Sequence, residues 1–429
     1  MGVVVTVFLI LLLLGMPVAF AIGISGTMFF VITPDLPYSI AVQRVVSSTQ
    51  SFTLLAIPLF VFAGNLMNNT GITKRLIKLS NVLTGHMYGN LAQVSCVLST
   101  LMGGVSGSAN ADAAMECRVL GPSMTERGYS KGYSAAVNGI SSLITATIPP
   151  SMGLIIYGSI GEVSIGRLFA AGIVPGILMM IALMITVRIT AKKRNYLPER
   201  KEKVSFGEVI KAFGESIWAL LFPVILIVGI RFGIFTPSES GAFAAFYAVF
   251  VGVFIYRELT FKLFITTLKD SAKDIGVIMI LVALSGIFGY GIVYDSIPQK
   301  MASVLIGASS NQYILLLIII GILIICGMFV ETTVITLLLT PILLPVVRGV
   351  GVDPVQFGII MMTIVTMGIM TPPVGIALYT TSSIMGCKPE ETAKESIPFI
   401  IAVVIVVCIC IFFRDVVLFI PDMIFGKAL

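Results

Sequence analysis

Two Pro-Pro pairs, Pro149-Pro150 and Pro372-Pro373, interrupt apolar stretches otherwise suited to continuous helix. Proline has no backbone N–H and clashes with the carbonyl four residues earlier, so a helix entering either pair must break there. The carbonyls of Thr145 and Ala146 thereby lose their helical donors, and those of Gly368 and Ile369 lose theirs at the second pair. Backbone opened at membrane depth is tolerated only where it is buried in protein or lines a polar space. Freed carbonyl oxygens are ligands for a cation, and the half-helix that follows aims its N-terminus at the same gap, which favours an anion. Each break is therefore suited to a coupling ion and to the carboxylate of a substrate.

Composition supplies the membrane. The 429 residues are 57% hydrophobic and 11% charged, with mean hydropathy +1.05, which excludes a soluble globular protein and points to an all-α polytopic one. Runs such as 3–14 and 314–330 are continuous rather than alternating, which argues against a β-barrel. The first apolar stretch has no basic flank before it and no clear cleavage site, so it reads as a retained span. The six cysteines are scattered without metal-ligand spacing, and His86 is the only histidine. Nothing supports Ser-His, Cys-His or zinc chemistry, and an enzyme is not expected.

Along the chain, apolar segments at 2–14 and 16–32 precede a more polar stretch at 34–51 and a span at about 52–67. Ile72 to Leu79 mixes apolar and basic residues at helical spacing and reads as an interfacial helix. Residues 88–126 form two legs around the tip Gly103-Gly104-Val105-Ser106-Gly107-Ser108-Ala109-Asn110. Each leg is shorter than the roughly 20 residues of a full crossing, so the pair reads as a re-entrant hairpin, with two short crossings as the alternative. The first broken helix covers about 133–157; Ser134, Asn138, Ser141, Ser142 and Thr145 share one face, expected to look into the protein. A span at 168–190 follows.

Gly104, Pro122, Gly128, Pro149, Pro150 and Pro175 have counterparts at Gly327, Pro345, Gly351, Pro372, Pro373 and Pro398, all 223 residues later. This reads as an internal duplication: a first repeat at 1–190, a basic cytoplasmic linker with a surface helix at 191–215, and a second repeat at 216–429. The second repeat is expected to hold spans at 217–234 and 236–256, an amphipathic stretch at 258–273 and a span at 275–293. A surface segment from Asp295 leads to a hairpin at 311–347, a broken helix at 354–385 and a last span at 397–413. Five crossings per repeat would make the two repeats inverted. With the N-terminus outside, 20 of the 27 Lys/Arg fall in loops facing the cytoplasm, which agrees with the positive-inside rule and puts both termini outside. The pI near 8.9 reflects that topology rather than nucleic-acid binding.

With the repeat, the hairpins and the breaks in place, the chain resembles a known family. Gly103 to Asp112, the run Arg231-Phe232-Gly233-Ile234-Phe235-Thr236-Pro237-Ser238-Glu239-Ser240, and Pro372-Pro373-Val374-Gly375 are together similar to the large membrane subunit of tripartite ATP-independent periplasmic (TRAP) transporters, over essentially the whole chain. The resemblance implies an ion-transporter-superfamily fold with two re-entrant hairpins and two discontinuous helices. It also implies sodium-driven uptake of an organic acid, sialic acid or a C4-dicarboxylate, by an elevator movement. The implied partners are a small four-helix membrane subunit and a periplasmic binding protein, and the implied place is the bacterial inner membrane with both termini periplasmic.

The resemblance further implies at least two transported Na+ ions. The first would lie between Gly103 and Ser106 of the hairpin and Thr145, Ile148 and Pro150 of the break; the second would use Gly327 with Gly368, Thr371 and Val374. Backbone carbonyls would supply most ligands. Substrate would sit between the tips, near Ser108, Asn110, Asp112, Glu331, Thr332 and Thr333, with Asp112 and Glu331 either contacting it or acting structurally, since two carboxylates repel an anion. Arg231 and Glu239 are expected to form a structural ion pair. The rival readings are a stand-alone sodium/carboxylate symporter that needs no binding protein and, more remotely, an intramembrane enzyme or respiratory-complex subunit. The latter would need an intramembrane His, an Asp pair or a Lys/Glu relay, whereas the polar groups at membrane depth here are overwhelmingly neutral Gly, Ser, Thr and Asn.

Overall fold

A computed structural model describes residues 1–200, 204–308 and 311–427. Lys201 and Lys203 of the basic linker, residues 309–310 of the segment after Asp295 and the last two residues of the chain lie outside it. All regular structure among the described residues is helical. Eight of these helices are long and apolar enough to cross a membrane, or nine if the bent pair Lys131–Thr147 and Met152–Gly161 is one span. The chain is a multi-pass α-helical membrane protein.

The first hairpin is Asn90–Gly103 followed by Ala109–Val119 and Gly121–Glu126; the second is Gln312–Phe329 followed by Thr332–Gly349. The first break separates Lys131–Ser141 and Leu143–Thr147 from Met152–Gly161, and the second separates Pro354–Gly368 from Ile376–Met385. Ser130 caps the first of these helices through the Tyr133 N–H, and Asp353 caps its counterpart through the N–H groups of Val355 and Gln356. Lys131 and Pro354 begin these helices 223 residues apart, and Gly128 and Gly351, each at φ +81, precede them at the same separation. Both Pro-Pro peptide bonds are cis.

Two packed groups surround the breaks. Ala56–Asn69 packs on Pro237–Phe250, and Phe261–Tyr294 packs on Val18–Ile32, Tyr38–Thr49 and Ala56–Asn69. The hairpins pack instead on the broken helices: Gln312–Phe329 against Pro354–Gly368, Asn90–Gly103 against Leu143–Thr147, and Ala109–Val119 against Ile376–Met385.

Several expectations change. The amphipathic stretch and the span expected on either side of Asp274 are one helix, Phe261–Tyr294, because no Pro interrupts the run and a single glycine near the junction, Gly276, is tolerated within it. At about 1.5 Å per residue it extends roughly 50 Å, longer than a bilayer core. Gly2–Leu13 and Val18–Ile32 are 12 and 15 residues, too short for full perpendicular spans, with a turn at Leu14-Gly15 between them and Pro17 leading into the second. The polar stretch at 34–51 holds a helix, Tyr38–Thr49, and a further helix, Arg414–Phe425, follows the last span. Arg231 and Glu239 do not pair. The Glu239 carboxylate accepts from the Thr236 N–H at 2.8 Å to close a capping box, and Arg231 lies over the Phe425 ring.

Candidate functional site

The first break is buried. Thr145, Thr147 and Ser151 are at most 1% exposed, and Ser134, Asn138, Ser141 and Ser142 are equally enclosed, so the polar face faces protein. The Ser151 hydroxyl donates to the Ala146 carbonyl at 2.5 Å and accepts from the Leu154 N–H, so one side chain both caps the second half-helix and re-engages one freed carbonyl. Ala146 is thus not an open ligand, whereas the tip of the hairpin closes directly on its neighbours. A Cβ on Gly103 would stand 2.6 Å from Ile148 Cβ, and Gly107, at φ +66, lies against the Pro150 carbonyl with no room for a side chain. Gly103, Ile148 and Thr145 therefore meet at one place, with Pro150 beside Gly107.

The second break is built differently. Gly327 and Gly368 touch backbone to backbone, and the Gly375 N–H donates to the Met328 carbonyl at 3.0 Å, which ties the second hairpin to the break. The freed carbonyls find new donors: Gly368 accepts from both the N–H and the hydroxyl of Thr371, at 2.9 and 2.7 Å, and Ile369 accepts from the N–H groups of Ala377 and Leu378. Those last bonds use the N-terminal donors of Ile376–Met385, so this half-helix does not present an open N-terminus to an anion. The Ile369 carbonyl is a helix cap, correcting the expectation that it stays open. Pro372, Pro373 and Val374 are exposed, while Pro149 and Pro150 are buried.

Between the tips lies a cavity of about 570 Å³. Ser106, Ser108 and Asn110 line it from the first hairpin, and Glu331, Thr332 and Thr333 from the second. Five of the six residues expected around substrate are therefore brought together. Asp112 does not line the cavity; it is buried behind the tip. Glu331 caps Thr332–Gly349, accepting from the Thr333 N–H at 2.9 Å and the Thr333 hydroxyl at 3.0 Å, so both carboxylate oxygens are engaged within their own helix. The first half-helix opens here, since Met152 and Gly153 at its N-terminus line the cavity. Asn110 lines it too, and its amide oxygen has no hydrogen-bond partner among the described residues.

The far wall was not foreseen. Asn65, Asn68 and Asp274 face the tips from the other packed group, and the Asn65 amide donates to Ser271 at 3.1 Å and to Asp274 at 3.0 Å. The signal was present as Asn65, Asn68 and Asn69 at helical spacing in an otherwise apolar span. Among the described residues no cluster of His, Cys, Asp or Glu could hold a metal by side chains alone.

A family model for the tripartite ATP-independent periplasmic transporter, DctM component, matches residues 5–416. The sialic acid TRAP transporter large permease protein SiaM of Vibrio cholerae is 36% identical over 97% of both chains. The C4-dicarboxylate TRAP transporter large permease protein DctM of Pseudomonas aeruginosa is 32% identical over 94% of both. In overall fold the chain is similar to the YdaH transporter of Alcanivorax borkumensis, with a TM-score of 0.64 and 11% identity over 86% of this chain and 87% of that one. These relatives are named as transporters and permeases, not enzymes. On a match that spans nearly its whole length, this chain belongs to the DctM component family of tripartite ATP-independent periplasmic transporters.

Proposed function

We propose that this chain is the large permease of a sodium-coupled secondary importer of organic acid anions. It works in the bacterial inner membrane with a small four-helix membrane subunit and takes substrate from a periplasmic binding protein. Sialic acid and C4-dicarboxylates are the two substrate classes, those of the relatives named above. The observation that carries the reading is the paired closure of hairpin glycines on interrupted helices. Gly103 presses on Thr145 and Ile148, and Gly327 presses on Gly368, with a polar cavity between the two tips. Sodium is a hard cation that takes oxygen ligands. One ion belongs with Gly103, Ser106, Thr145, Ile148 and Pro150, and another with Gly327, Gly368, Thr371 and Val374.

Anionic substrate lies in the cavity with its carboxylate toward the N-terminus of Met152–Gly161. Ser108, Asn110, Thr332 and Thr333 supply hydroxyl and amide contacts. The hairpins and broken helices form the body that moves, and the helices packed around Phe261–Tyr294 form the body it slides against. The two halves, 1–190 and 216–429, are inverted repeats joined by the basic linker 191–215, with both termini periplasmic.

The test is uptake into proteoliposomes under an imposed sodium gradient. Transport is expected only with sodium outside and with the small subunit and the binding protein present. Uptake indifferent to sodium removes the coupling. Transport by this chain alone establishes instead the stand-alone symporter.

A further inference from the structure

Asp112 sits in the first turn of Ala109–Val119, 1% exposed. Neither of its carboxylate oxygens has a hydrogen-bond partner among the described residues. The hydroxyls of Ser106 and Thr145 lie beside it without completing a hydrogen bond. Thr145 gives its hydroxyl hydrogen to the Ser99 carbonyl at 2.9 Å, so toward any other neighbour it offers only lone pairs. No Arg or Lys balances the charge, because none of the ion pairs among the described residues includes Asp112.

One turn further along, Glu116 shows what a satisfied buried acid looks like in this hairpin. It accepts from the hydroxyls of Ser95, Ser99 and Ser141 at 2.5, 2.6 and 3.1 Å. Asp112 is the acid left without a completed hydrogen bond, with only the Ser106 hydroxyl beside it uncommitted, and a buried carboxylate so poorly satisfied and without a counter-charge is costly. An oxygen-rich pocket of carboxylate and non-donating hydroxyl is completed by a cation rather than by another anion or by water alone.

The duplication sharpens the point. At the 223-residue offset the mates of Asp112 and Glu116 are Ile335 and Leu339, and the acid of the second tip, Glu331, has both its oxygens engaged by Thr333. Thr371, the mate of Ile148, already gives its hydroxyl hydrogen to the Gly368 carbonyl.

We infer that Asp112 is a direct carboxylate ligand of the first cation site, giving that site a full negative charge that the second lacks, so the two sites bind sodium unequally and the first fills first. This rests on the sodium-coupled reading above and moves Asp112 out of the substrate set. With the ion bound, the region behind the first tip is neutral with respect to Asp112, so an anionic substrate meets no repulsion from it.

The test uses the complex of this chain with its small subunit in detergent, titrated with sodium chloride against potassium chloride and followed by thermal unfolding. Wild type is expected to show a tight and a weak sodium-dependent stabilisation. Asp112→Asn should weaken the tight phase at least ten-fold, and Thr371→Ala should move only the weak one. No sodium response in wild type would overturn the sodium reading itself. A wild-type response kept within two-fold by Asp112→Asn, or lost substrate affinity with an unchanged sodium titration, would overturn the assignment alone.

Should Asp112→Asn fail to fold, wild type answers by carbodiimide labelling of buried carboxyls read by peptide mass spectrometry. Sodium, but not potassium, is expected to slow modification of Asp112 at least ten-fold relative to Glu116. Equal labelling in the two salts would overturn the inference.

Discussion

Gly368 faces Gly327 so closely that a Cβ built on Gly368 would lie 2.5 Å from Gly327 Cα. The atoms it would strike are main chain, which cannot rotate away, so the hairpin and the break approach only because both positions lack side chains. Gly368→Ala is expected to push the second hairpin off the break, costing about 1–3 kcal/mol of stability as overpacked sites do. Apparent sodium affinity in uptake should fall with it. Thermal unfolding and sodium-dependent uptake check both, and a variant indistinguishable from wild type would show that the contact is not needed.

The hydroxyl of Thr371 holds the Gly368 carbonyl at 2.7 Å, and Pro150 puts its carbonyl against Gly107. Removing an oriented ligand or its support costs about 1–1.5 kcal/mol, roughly ten-fold in affinity. Thr371→Ala and Pro150→Ala are each expected to raise the sodium concentration giving half-maximal uptake by about that factor. Unchanged sodium curves in both variants would remove these residues from the ion sites.

Glu331 lines the cavity, yet both its oxygens are engaged by Thr333 as a helix cap. Glu331→Ala is expected to cost about 1 kcal/mol of stability, the usual loss of an N-cap. Glu331→Gln, which keeps an acceptor, should cost less. In uptake both should retain wild-type sodium dependence; a large sodium shift with either would place Glu331 in an ion site instead.

Glu116 binds three hydroxyls from Asn90–Gly103 and Lys131–Ser141 and is fully enclosed. Glu116→Leu leaves those hydroxyls without their acceptor at the junction of hairpin and break, a loss of about 1–3 kcal/mol. Denaturation of the purified complex should show it, and a change below about 0.5 kcal/mol would mean the hydroxyls find new acceptors.

Asn65 reaches the cavity from the wall opposite the tips while bonded to Ser271 and Asp274. Asn65→Ala is expected to weaken substrate affinity several-fold in competitive uptake while leaving the sodium curve in place. An unaltered substrate curve would make this wall a passive boundary.

The amino-acid sequence by itself determined the class of molecule and the place of its breaks. Continuous apolar runs require a bilayer, and Pro149-Pro150 and Pro372-Pro373 forbid unbroken helix wherever the chain goes, because the missing N–H is a property of the residue and not of its surroundings. The hairpin tips and the polar residues that line the cavity between them were legible for the same reason: Gly, Ser, Thr and Asn stand out at membrane depth. Tertiary structure decided which freed oxygens stay open. Ala146 is taken by Ser151, and Ile369 by Ala377 and Leu378, since a carbonyl bonds whatever donor the fold brings within about 3 Å, and that donor is read from three dimensions rather than from spacing. The fold also separated two acids that look alike along the chain, giving Glu116 hydrogen bonds from three hydroxyls and leaving Asp112 with no completed hydrogen bond among the described residues.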